Sequence, residues 1–232
     1  MGQGWKQVWA QRRVDETLAS ELLQLMALDG LDSGFGELSE EAWREYLAHV
    51  GWRMGVCQYS SVYEVGCGAG AFLYEWYRWG CRIGGLDASP ALVAIARRFM
   101  PRADLRVADA ADLDVQQRYE FVVSSAVFRY FPSQDYARGV LEHMARKAER
   151  GVAVLDVPDK AREQDALEMR RRRLGAARYD ERYRGLPHLH FERSWFSEPL
   201  ERAGFKRVLS SDQAIRGYVH APYRFNVFAF RS

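Results

Sequence analysis

Apolar positions along the chain follow two different periods. Up to about residue 55 they recur every three or four places, the spacing of a helical face. Trp5, Val8 and Trp9, then Leu18, Leu22, Leu25 and Met26, predict helix through residues 1–29. LDSGFGELSE reads as a loop, and Ser39 as the cap of a further helix with Glu40 and Glu41 in its first turn. Trp43, Tyr46, Leu47 and Val50 form that helix's apolar face. From residue 61 onward, short apolar runs alternate with helical stretches. Strands are predicted at residues 61–65, 82–86 and 105–108, within YEFVVSSAVF, and at GVAVLDV. Helices fall between them over residues 71–79, after Ser89 with Pro90 in the first helical position, and over about residues 133–150. This alternation predicts a doubly wound, mostly parallel α/β sheet with helices on both faces.

After Pro158 the rhythm changes. A charged helix is expected over residues 160–174, an arginine- and tyrosine-rich loop as far as His190, and a helix over residues 194–203 that stops at Gly204. Residues 206–211 and 224–230 read as strands. The connection between them, DQAIRGYVHAPY, is too short for a crossover helix, so an antiparallel hairpin is expected.

Composition narrows the class. With 232 residues, 48% of them hydrophobic, the chain can bury one full domain core. A formal net charge of +2 does not suggest a nucleic-acid binder. Arginine outnumbers lysine 29 to 4, so any single arginine-rich run is expected to be a solvated face. Three cysteines, Cys57, Cys67 and Cys81, with no CxxC, argue against a disulfide framework or a zinc site and fit a reducing cytoplasm. Polar residues interrupt the N-terminal apolar positions, so no secretory leader is expected, and no eighteen-residue apolar run predicts a membrane span.

The first strand runs into VGCGAGAF, which places Gly66, Gly68 and Gly70 within five positions. Such a turn, feeding a helix, can bring backbone N–H groups up to a ligand. It also satisfies the dinucleotide fingerprint G-x-G-x-x-G/A. Asp87 stands 21 positions after Gly66, at the end of the second strand, where a carboxylate can accept both ribose hydroxyls of an adenosine. Asp109 follows the third strand, placed to accept from an exocyclic adenine amine or to cap a turn.

VYEVGCGAG, GLDAS, ADAADL and YEFVVSSAVFRYFP, in that order, resemble the class I S-adenosylmethionine-dependent methyltransferases, over about residues 61–158 and the closing hairpin. The resemblance implies a Rossmann-like seven-stranded sheet with an antiparallel last strand. It implies S-adenosyl-L-methionine as cofactor and S-adenosyl-L-homocysteine as product. Glu64, Gly66, Cys67, Gly68 and Gly70 would embrace the methionine part, with Asp87 and Ala88 at the ribose, Asp109 and Ala110 at the adenine, and Ser124 and Ser125 at the methionine amine. SSAVFRYFP is similar to the small-molecule branch, in which an aromatic residue after the fourth strand faces the transferred methyl; Phe128, Tyr130 and Phe131 are the candidates. Glu120 stands where the family commonly has Asp.

The acceptor would be held outside this core. Between residues 160 and 184 nine basic residues meet five acidic ones, and arginine forks suit carboxylate or phosphate. In YRGLPHLHF, His188 and His190 alternate with Leu189 and Phe191, so both imidazoles should share one side. No third ligand accompanies them, and no metal is expected. His188, His190 and Tyr130 are the catalytic candidates. Phe128, Tyr183, Arg184, Tyr218, His220, Tyr223 and Arg224 are the acceptor candidates. The expected layout is an N-terminal helical lid (1–55), a cofactor-binding core (56–158), a helical cap insertion (159–192), and a C-terminal helix and hairpin (193–232). The leading reading is methylation of oxygen or nitrogen on a small-molecule acceptor, an anionic compound or natural product being candidates. The protein would be cytoplasmic, a monomer or homodimer, without nucleic-acid or membrane partners. A nicotinamide-dependent oxidoreductase on the same turn, and a cofactor-binding subunit without catalysis, stand beside that reading. No Tyr-x-x-x-Lys pair supports the former.

Overall fold

A computed structural model describes residues 3–10, 12, 17–31 and 38–232. Its seven strands lie in the order β3-β2-β1-β4-β5-β7-β6. They are β1 (Ser61–Val65), β2 (Arg82–Asp87), β3 (Asp104–Val107), β4 (Tyr119–Ser125), β5 (Ala148–Pro158), β6 (Arg207–Asp212) and β7 (Arg224–Phe230). β1 pairs in parallel with β2 and β4, and β2 with β3, β4 with β5 in the same sense. β7 runs antiparallel to both β5 and β6, which is the hairpin the short connection requires. The winding reverses between β1 and β4. A crevice therefore opens at the carboxyl ends of those two strands, where ligands bind in open α/β sheets.

The helices are α1 (Gln3–Ala10), α2 (Glu21–Leu28), α3 (Glu40–Met54), α4 (Tyr74–Trp79), α5 (Pro90–Phe99), α6 (Gln134–Lys147), α7 (Glu163–Leu174), α8 (Ala176–Arg182) and α9 (Ser197–Arg202). Their starts follow the expected cap chemistry. Ser39, Ser89 and Ser133 each accept from the backbone N–H three residues on. α2, α3 and α5 pack on one face of the sheet in a core that includes Leu25, Val50 and Val93; α6 and α9 cover the other, with Leu141, Phe196 and Leu200.

Two expectations change, and a third falls mostly outside the described residues. The first 29 residues do not form one helix: Ser20 accepts from Leu23 N–H and starts α2 afresh. Most of the loop expected over residues 31–40 lies outside the described residues. The stretch before His190 is not all loop, because AARYDER, rich in good helix formers, makes α8 after Gly175 breaks the run at a positive φ of 81°.

Candidate active site

β1 ends in a turn whose three glycines, Gly66, Gly68 and Gly70, have φ values of 79°, 51° and 96°. Side-chain-bearing residues rarely adopt these angles. The atoms that crowd the turn belong to the chain itself. A Cβ on Gly66 would lie 2.5 Å from Val127, one on Gly68 2.2 Å from Asp29 Oδ1, and one on Gly70 2.3 Å from Met100. The turn is tied down by Gly66 and Cys67, whose N–H groups both donate to Leu86 C=O, at 2.8 and 2.9 Å.

Three carboxyl groups gather at this turn. Asp87 is buried and accepts from Gly68 N–H (3.0 Å) and Ser89 N–H (2.8 Å), so it shapes the turn as well as facing the crevice. Burial raises its pKa, and those two N–H groups oppose the rise. Glu64 is 2% exposed, and its Oε2 is buried without a hydrogen-bond partner among the described residues. Burial, then the neighbouring Asp29 and Asp87, hold its pKa well above the ordinary range. Asp29 ends α2 and reaches across the chain to accept from Ala69 N–H (2.6 Å) and Ala71 N–H (2.9 Å). Burial pushes its carboxyl up to about 7, against the pull of the two N–H bonds. Among the described residues lining the crevice, Arg129 is the one basic side chain, and it pairs with Asp156 at 3.4 Å. The crevice is an acidic cleft narrowed by Asp29 and roofed by Trp9 and Trp43.

Of the residues expected at the cofactor, Glu64, Gly66, Cys67, Gly68, Asp87 and Ser125 line this crevice. The others do not. Gly70 is turned against Met100, and Ala88 is half-buried beside the cleft. Ser124 is fully buried, its hydroxyl donating to Val65 C=O at 2.9 Å. Asp109 caps a 3-10 turn and accepts from the Tyr136 hydroxyl, and Ala110 packs in the core beneath it. Phe128 is not at the crevice, because the turn at Phe128–Tyr130 sends its ring into the core against Phe131, Phe191 and Phe196. Tyr130, from the same turn, does line the crevice.

Residues 62–151 match the model of a family described as methyltransferase domain. This stretch is a methyltransferase domain. A curated relative, the dTDP-4-amino-2,3,4,6-tetradeoxy-D-glucose N,N-dimethyltransferase of Saccharopolyspora spinosa, is 33% identical over 106 residues, covering 43% of this chain and 42% of that protein. The chain spans less than half the length of the curated relatives it matches. The whole fold is shared with magnesium protoporphyrin IX methyltransferase from Synechocystis PCC 6803, solved with bound SAH, at a TM-score of 0.62 and 16% identity, over 98% of this chain and 92% of that one. It is likewise shared with Streptomyces venezuelae DesVI, at a TM-score of 0.60 and 16% identity, over 95% and 100% of the two chains.

Beside the crevice of the methyltransferase domain lies a second, larger cavity of about 210 Å³. Trp9, Asp29, Leu31, Ala126, Arg129 and Tyr130 line both, so they mark the junction. Ala126 holds a φ of 60°, a conformation costing about 1–2 kcal/mol for a residue other than glycine. The cavity is closed by α1, whose Trp5 donates from Nε1 to Pro187 C=O at 3.0 Å and packs against Tyr130 and His188, each at a centroid distance of 4.7 Å. Tyr183, His188, Tyr218, His220 and Arg224 from the acceptor and catalytic candidates line it. Arg184 is exposed, and neither it nor Tyr223 reaches the cavity.

His188 and His190 share one side of their segment and both line a shallower groove with Glu163, but only His188 reaches the chamber. His190 instead lies 3.4 Å from Glu163. Burial, reinforced by the arginines, drives His188 well below the ordinary imidazole value and His220 down to about 3, so both are neutral at pH 7. A buried network backs the chamber. Asp156 accepts from Tyr218 (3.1 Å), Gln213 (3.3 Å) and Arg129, while Asn226 accepts from the Asp156 N–H at 2.9 Å. Reading the sequence missed Asp29, Arg129, Asp156 and Arg170 as site residues. Asp156 had a usable signal, because it stands near the carboxyl end of β5; Asp29 had none.

Proposed function

We propose that this chain transfers a methyl group from S-adenosylmethionine to a small-molecule acceptor held in the adjoining chamber. The observation that carries the reading is the buried, unpartnered Glu64 oxygen, with Asp29 and Asp87, around a glycine turn at the switch point of the sheet. Buried carboxylates without partners are costly, and a ligand bearing ammonium and sulfonium charge compensates them. When bound, S-adenosylmethionine supplies an electrophilic methyl group. Asp87 would accept from the ribose hydroxyls, Glu64 and the Gly66–Gly68 backbone would hold the amino-acid tail, and Ser125 would line its far side.

The chain's remaining task is alignment and exclusion of water, which together can supply several kcal/mol. Trp9 and Tyr130 wall the junction, and α1 and the cap meet above it. That contact supports residues 1–55 as a lid and 159–192 as a cap over a core of 56–158, completed by 193–232. An acceptor that arrives as a free amine needs no base to attack; one that arrives as an ammonium must first lose a proton. A hydroxyl acceptor would find neutral His188 able to accept its proton. The relative from S. spinosa, an N,N-dimethyltransferase of a nucleotide-linked amino sugar by its name, supports nitrogen on a small molecule as the first acceptor class to try.

Calorimetric titration with S-adenosylhomocysteine tests the reading. The parent should bind it, and Asp87→Asn, which keeps one oxygen for the turn, should bind roughly tenfold or more weakly. No binding at millimolar ligand while NADH binds would overturn the reading. Binding without methyl transfer across an amine and hydroxyl panel would leave a cofactor-binding subunit.

A further inference from the structure

The chamber beside the crevice is electrically unbalanced. Arg170 and Arg224 are each 6% exposed, and the Arg129 side chain 14%. All three line the chamber. Arg224 Nη1 and Arg129 Nε are buried with no hydrogen-bond partner among the described residues. Arg170 spends its Nε on Ala166 C=O at 3.1 Å, the end of its own helical turn. The buried counter-charge is Asp156, whose oxygens already take Tyr218, Gln213 and Arg129. Even with Asp29 ionised at the junction, the three buried guanidinium groups, out of five arginines in the lining, face two carboxylates among the described residues. A buried guanidinium with an unpaired N–H is costly to keep, and a planar fork pairs best with an oxyanion.

The walls say what the oxyanion is attached to. Trp5, Tyr130, Tyr183 and His188 form one ring cluster with centroid distances of 4.7–6.4 Å. Such walls bury a flat apolar body.

We infer that the chamber holds its ligand by an oxyanion, a carboxylate or a phosphate, seated on Arg224 with Arg129 and Arg170 beside it, the ligand's ring lying among Trp5, Tyr130 and Tyr183. The inference rests on the methyltransferase reading for the ligand's role as methyl acceptor; the anion site itself stands on the chamber. Arg224 begins β7 and Arg129 follows β4, so the site sits on the sheet frame rather than on the cap. Arg170, on α7, brings the cap's contribution.

The test is titration of the full chain, with and without S-adenosylhomocysteine, using benzoate, phenyl phosphate and neutral benzyl alcohol as probes. At least one acid should bind roughly tenfold or more tightly than benzyl alcohol, and Arg224→Gln should weaken that acid by a similar factor, as loss of one charge-assisted contact requires. Whichever acid binds more tightly names the group. Arg170→Gln serves as the second variant, read the same way, should Arg224→Gln fail to fold. Equal binding of acid and alcohol, no acid binding up to about 10 mM, or no loss in the folded variants overturns the inference. If S-adenosylhomocysteine fails to bind while an acid binds through Arg224, the methyltransferase reading falls and the anion site stands. If the cofactor product binds and the acids do not, the reverse holds.

Discussion

Replacing Asp29 with asparagine removes a charge from the glycine turn and leaves one side-chain oxygen to accept from Ala69 or Ala71. Burial lifts the native carboxyl from its ordinary 3.8 to about 7. Between those values the folded chain holds a proton that the unfolded chain has released. The group's contribution is therefore most favourable at low pH, falls as pH rises from about 4, and levels off above about 7. The slope is about 1.4 kcal/mol per pH unit, so the parent loses about 3 kcal/mol between pH 5 and pH 8 through this residue. The amide of the variant has no proton to lose. In a domain of this size about 1 kcal/mol moves Tm by about 2–4 °C. The variant-minus-parent difference in Tm should thus grow by roughly 6–12 °C from pH 5 to pH 8. Any cost of the lost N–H bond offsets both ends alike. Thermal unfolding of the ligand-free protein at several pH values in that interval measures it, and the subtraction cancels other titrating groups. A difference that stays flat or shrinks with pH would show that Asp29 is not held on the turn with a raised pKa.

Two further perturbations probe the same architecture. Gly68→Ala puts a methyl 2.2 Å from Asp29 Oδ1 at a φ of 51° and should cost roughly 1–3 kcal/mol; adding Asp29→Ala should recover the steric part, and strict additivity in a double-mutant cycle would refute the contact. His220 is buried and depressed to about 3, so its contribution is complete above pH 6.5 and is lost as pH falls from there toward 3. His220→Gln should spare the protein roughly 2 kcal/mol of acid destabilisation between pH 6.5 and pH 5, and unfolding curves with identical acid limbs for parent and variant would contradict it.

Features that depend on neighbours in sequence were legible before any coordinates. The alternation of apolar runs determined the strands, and Ser39 and Ser89 announced helix starts because a cap bonds only three residues on. The glycine turn and Asp87 were legible for the same reason: backbone angle and strand end are local properties. Tertiary structure alone decided what meets at the site. Asp29 reaches Ala69 and Ala71 across 40 and 42 positions, and no periodicity encodes such a contact. Phe128 and Tyr130 are alike in sequence terms, yet packing against Phe131, Phe191 and Phe196 draws one into the core and leaves the other at the junction. Arg129, Arg170 and Arg224 come from three separate elements of an arginine-rich chain; Arg224 was a candidate from its loop, whereas composition hid Arg129 and Arg170. Burial singles them out, because water no longer screens their charge and the described residues bring too few buried carboxylates to balance it.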